Sequence, residues 1–177
     1  LIGTHPYAGE PFNRIHWKMS AHAGHLFTKE FSPSASKTLV ILLNLTLRRT
    51  PIFDTDVFED YLCAIAGSIA RYACDRQLPF GLIALGQRQE ASDYGGGPTH
   101  LAACLSILAH AHMKVEPDPT KAVFLEYLQT RRYALPAQSQ LFLIQQEMTE
   151  EEVETLLRMR ARFSRVSIAL FPQGSFR

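Results

Sequence analysis

The sequence predicts an α/β fold, a three-layer, doubly wound, mostly parallel sheet held between helices. Four short runs, at 37–46, 80–85, 140–145 and 166–171, are apolar throughout rather than alternating, as strands buried on both faces are. Between them lie segments with apolar residues at helical spacing, giving the order strand, helix, strand, helix, helix, strand, helix, strand. At 177 residues the chain suits one core of ordinary size.

The elements follow in chain order. The run at 37–46 is rich in Leu, Val and Ile and serves as the central strand. Asp56 with Glu59 has the spacing of a capping box, and Phe58, Leu62, Ile65, Ile69 and Ala73 then form the apolar stripe of a helix ending near Arg76. After the strand at 80–85 a polar loop runs to Gly95-Gly96-Gly97-Pro98, where Pro98 and Thr99 mark a helix start with Thr99 as a possible cap. Leu101, Cys104, Leu105 and Leu108 share one stripe of that helix. A break at 117–120 precedes a third helix reaching about Arg132. Thr149 with Glu152 forms a capping box for the last helix, whose Val153, Leu156 and Leu157 are expected to face the sheet. Doubly wound sheets bind ligands beyond the carboxyl ends of their strands, so the loops at 44–48, 86–99, 145–149 and 171–174 are the places for a site.

Composition narrows the function classes. With 18 basic against 17 acidic residues the net charge is +1, and no bulk field draws the domain to nucleic acid. Cys63, Cys74 and Cys104 form no C-x-x-C pair, which points to free thiols in helices. His22 with His25 and His110 with His112 lack the spacing of a zinc-protease motif. No G-x-S-x-G elbow occurs, and the glycine run at 95–97 is not followed by the Lys-Ser/Thr of a phosphate loop, so the reading is non-enzymatic. Arg158, Arg160, Arg162 and Arg165 form either a solvated face or a cationic one for a partner. No run is long and apolar enough for a membrane span, and an opening at Leu1 without a signal peptide reads as a piece of something longer.

The most distinctive stretch is the opening one. Tyr7 and Gly9-Glu10 precede Arg14-Ile15-His16-Trp17-Lys18, then Ser20-Ala21-His22, then Gly24, Leu26 and a Lys29-Glu30 strand. This order resembles the signature of the domain-of-unknown-function 58 family, from which Glu10 departs by replacing Asp and His22 by replacing Arg. Physically, Arg14, His16, Trp17 and Lys18 set cations beside a flat aromatic, a grouping suited to stacking and to holding a carboxylate or phosphate. The structural alternative is that Trp17 covers an edge of the core while Arg14 and Glu10 pair to fasten an irregular segment. The domain reading is thus a signature segment, 1–36, packing on a domain at 37–177.

The resemblance implies a von Willebrand factor A-like domain of a bacterial protein, membrane-anchored outside this chain, facing the cytoplasm and working with a MoxR-type AAA ATPase. It also implies a magnesium tripod, Asp-x-Ser-x-Ser, after the central strand, with a Thr and an Asp from later loops. Here the tripod reads Asn44-Leu45-Thr46-Leu47-Arg48, Thr99 is the candidate loop hydroxyl, and Glu147 stands in the loop where the Asp is expected. Hard cations need carboxylate and hydroxyl oxygens, and Arg48 puts a permanent positive charge among them, so the expectation is a degenerate site and no cofactor. Two alternatives are a magnesium-dependent adhesion-type module and a hydrolase or transferase using His16 or His22 as a base beside Glu10.

Overall fold

The computed structural model describes residues 3–7, 9, 15–30, 38–48, 54–116, 123–131 and 135–171. The chain forms two compact units, Leu1–Ser36 and Lys37–Arg177.

In the first unit β1 (Gly3–Pro6) pairs antiparallel with β2 (Phe27–Glu30), and α1 (Trp17–Ala23) lies between them in sequence. This corrects the expectation of an irregular segment. The helix is short, and its order comes from local fasteners. The His16 ring accepts from the Met19 N–H at 3.2 Å, which caps the amino end. Gly24, at φ 73°, ends the helix in the left-handed region that disfavours side chains. Ser20 Oγ accepts from Phe27 N at 2.8 Å and so ties the helix to β2.

The second unit is the α/β body. Its main sheet has the order β6 (Gln89–Ala91), β5 (Phe80–Leu85), β3 (Leu39–Asn44), β8 (Gln140–Gln145), β9 (Arg165–Leu170). All neighbours are parallel except the β5–β6 pair. Every residue of β3 is buried, which is what its unbroken apolar run requires. Leu39, Ile41 and Leu43 turn to one face, against α2 (Thr55–Asp75) and α3 (Gly97–Ala109). Val40 and Leu42 turn to the other, against α4 (Val123–Arg131) and α5 (Glu150–Met159). The body is therefore three layers, as expected. A second, two-stranded parallel sheet joins β4 (Thr46–Leu47) to β7 (Lys114–Val115).

Four details differ from the sequence reading. The cap of α2 is Asp54, whose carboxylate accepts from Asp56 N at 3.0 Å and Val57 N at 3.4 Å. Glu59, freed from the expected capping box, instead accepts from Met113 N and meets His112 Nδ1 at 3.0 Å. The buried stripe of α2 is Phe58, Leu62, Ala66, Ala70 and Ala73, with Ile65 and Ile69 only half-buried, because small residues let the helix sit close to the sheet. Leu105, Val153 and Leu157 are exposed, since the apolar residues that their helices bury are Leu101, Cys104, Leu108 and Leu156.

The largest difference is β6, where a loop was expected. Gln89–Ala91 runs back along β5, and the chain continues past Ser92 until Gly95 and Phe80 exchange hydrogen bonds of 2.8 and 3.0 Å. The return carries the chain from the carboxyl end of β5 to its amino end before α3 begins. At the turn into β6, Gly86 lies against the backbone of the α3–β7 loop. A β-carbon there would stand 2.2 Å from the carbonyl oxygen of His112. Gly86→Ala is expected to destabilise the body by about 2–3 kcal/mol through overpacking against a backbone that cannot swing aside. Gly96→Ala, whose added carbon would lie 3.7 Å from the nearest atom, is the near-neutral control in the same thermal-unfolding measurement.

Candidate functional site

The chain leaves β3 for β5 on one side and later returns to β8 on the other, so strand order reverses between β3 and β8. Two crossovers leaving in opposite directions open a crevice at the carboxyl ends of those strands. Asn44, at the end of β3, is 9% exposed there. Its amide nitrogen donates to Gln145 Oε1 at 3.2 Å, and its oxygen accepts from Thr46 N at 3.2 Å and Thr46 Oγ1 at 2.5 Å. Asn44 and Thr46 are thus brought together as the tripod spacing anticipates, but they satisfy each other.

Arg48 closes the crevice. Its guanidinium donates to Glu152 Oε1 at 2.5 Å, while Glu152 Oε2 accepts from Thr149 N at 2.9 Å. Thr149 Oγ1 accepts in turn from Glu152 N, so the expected capping box of α5 is present and holds the carboxylate from behind. Glu152 is 2% exposed and Arg48 19% exposed. Glu116 arrives through the small sheet: its N–H donates to Leu47 O at 2.8 Å, and its buried carboxylate accepts from Lys114 Nζ at 3.1 Å. Glu147 is exposed at the mouth, and the space left between Arg48, Glu116, Gln146 and Glu147 is about 10 Å³, room for a single water at most.

Sequence reasoning reached Asn44, Thr46, Arg48 and Glu147 but missed Glu116, and it saw Glu152 only as a cap. Nothing local signals the Arg48–Glu152 pair, whose members stand 104 residues apart. Thr99 is a correction. It is exposed in the first turn of α3, at the amino end of the sheet where Gly95 bridges Phe80, and Gly96, with no side-chain bond, holds the cap position. The polar β6 return, which has no apolar signature, carries Thr99 away from the crevice.

Two side-chain amides, Gln145 Nε2 and Gln146 Nε2, are buried at the crevice with no hydrogen-bond partner among the described residues. Buried donors left unpaired cost about 1–3 kcal/mol each, so they mark a place where an acceptor would be welcome. For a hard cation the set is poor. Asn44 oxygen is already shared, Arg48 brings a fixed charge, and among the described residues no three His, Cys, Asp or Glu side chains stand together as metal ligands.

In the signature segment the outcome is mixed. Glu10 and Arg14 lie outside the described residues. Tyr7 N donates to Leu26 O at 2.9 Å, which fixes the backbone there, and Tyr7 is half-buried. His16 spends one ring nitrogen on its cap, and Lys18 is exposed beside it. Trp17 is 59% exposed, which corrects the expectation that it covers the core and leaves its face open for stacking.

Other reactive groups have structural employment. His100 Nε2 meets Phe80 O at 2.9 Å with its ring against Phe80, and His110 Nδ1 meets Ser106 O at 2.7 Å. Burial, then the nearby carboxylates of Glu59 and Asp60, push the Cys63 thiol up to about 11. Burial likewise raises the Cys104 thiol.

An open α/β sheet with a polar crevice at its switch point defines a class of domain that presents ligands to loops at the strand ends. A family model described as "Protein of unknown function DUF58" matches residues 5–173, and the chain belongs to this family. It is similar to the "Uncharacterized protein YeaD" of Bacillus subtilis (strain 168), 32% identical over 104 residues. That stretch is 59% of this chain but only 24% of the relative. No solved structure matches. Among the described residues no helix is long and apolar enough to cross a membrane.

Arg48→Ala should strip a buried carboxylate of its counter-ion and lower stability by about 2 kcal/mol, read as a fall in the denaturation midpoint. Cys63 should alkylate with iodoacetamide far more slowly than a free thiol at pH 8, its rate climbing as pH approaches 11, because only the thiolate reacts.

Proposed function

We propose that the body of this chain is a non-enzymatic protein-interaction module of the von Willebrand factor A type, with a degenerate metal site, whose partner docks on the loops at the mouth of the crevice, around Arg48 and Glu147. One observation carries the reading. Where a metal-binding member of that fold needs anionic ligands open to an ion, this chain spends the Arg48 guanidinium on the buried Glu152 carboxylate and leaves room for a single water at most. Binding then runs through direct contacts at the rim, where Arg48 keeps part of its surface exposed, and needs no bridging magnesium.

The family resemblance extends the proposal to context. The chain acts within a membrane-anchored bacterial protein, on the cytoplasmic side, alongside a MoxR-type AAA ATPase. The full membrane protein is expected to retain that ATPase on an affinity matrix. Arg48→Lys, which keeps the charge but loses the planar fork, is expected to release it at unchanged melting temperature. Failure of the wild type to retain it, or full retention by the variant, would count against the reading. Millimolar magnesium is expected to leave the melting temperature unmoved, whereas a rise of several degrees would restore the metal-dependent alternative.

A further inference from the structure

Three polar side chains reach the floor of the crevice from three separate elements, and their hydrogen-bonding needs do not cancel among themselves. Gln146, directly after β8, is 5% exposed, and its amide nitrogen has no acceptor among the described residues. Glu116, delivered by the β4–β7 sheet, is 6% exposed, and one of its carboxylate oxygens accepts from Lys114 Nζ at 3.1 Å. Glu152, in the first turn of α5, gives one oxygen to Arg48 and the other to Thr149 N. All three line one space, together with Asn44, Thr46 and Arg48.

Size and sign decide what that space suits. Its volume of about 10 Å³ matches one water, which is held where two or more polar groups converge on it. Gln146 Nε2 offers N–H, whereas an ionised carboxylate offers lone pairs alone. A bare cation would find the carboxylates, but it would also face the Arg48 guanidinium and the amide N–H. Chloride would satisfy the amide and then sit against Glu116 and Glu152. A molecule that accepts and donates at once answers both kinds of group.

We propose that this space is the binding site of one buried water, which accepts from Gln146 Nε2 and donates to the Glu116 carboxylate. The two side chains bond to each other through it, so the loop after β8 is tied to the end of β7 by a link that neither segment makes directly. The water sits beneath the rim, and its presence does not depend on a partner docking above it.

The test is a high-resolution crystal structure of the protein, joined to oxygen-17 magnetic relaxation dispersion, which counts long-lived waters in solution. Density for one water is expected within about 2.7–3.2 Å of both Gln146 Nε2 and a Glu116 carboxylate oxygen. Gln146→Leu, of similar size, should lower the dispersion count by about one water and the melting temperature by about 2–4 °C, because Glu116 loses its bridge. If the amide were simply unpaired, the same substitution would remove a penalty and leave the melting temperature level or raise it, which overturns the proposal. No density at the spot, or a dispersion count equal in the two proteins, also overturns it. So does an anomalous peak there from crystals grown with bromide or manganese, which assigns the space to an ion. The wild-type density and the bromide and manganese crystals decide the matter even where the variant fails to fold.

Discussion

Six consecutive residues, Leu39–Asn44, are shut away from water with their backbone groups committed to β5 on one side and β8 on the other. A strand so placed must be apolar on both faces and must find a helix layer for each, which is why α2 and α3 gather on one face and α4 and α5 on the other. The same strand is where the chain changes direction across the sheet. The crevice is therefore a by-product of the constraint that builds the core, and its position follows from topology before any polar residue is chosen.

What fills the crevice is set by contacts distant in sequence. Glu152 belongs to a helix cap and to an ion pair at once, so the start of α5 and the loop after β3 hold each other in place. Glu116 reaches the same spot only because two residues of β4 pair with two of β7. A carboxylate buried in this way gains from two hydrogen bonds what it loses in hydration, and its removal or that of its partner disturbs both loops together.

The sequence made these features legible to very different degrees. The apolar runs of β3, β5, β8 and β9 and the Thr149–Glu152 box were plain, because burial and capping are written in adjacent residues. β6 was illegible: Gln-Glu-Ala carries no strand signature and forms only because β5 offers it an edge. Thr99 was misplaced for that reason, since a missed return strand puts the next helix at the wrong end. The α1 helix owes its order to the His16 ring, Ser20 and Gly24 rather than to periodicity. Val153 and Leu157 had the right spacing to be interior, yet a pattern on one helix cannot say what lies opposite it.

The return strand also divides the labour between the two rims of the sheet. With α3 starting at the amino rim, the segment from Ser92 to His100 is bonded to β5 and carries no part of the crevice. Substitutions along it can alter stability while leaving the crevice untouched, whereas substitutions around Asn44 to Arg48 change the crevice and, through the Arg48–Glu152 pair, stability with it. A lineage of such domains can then tune its folding at one rim without disturbing the other.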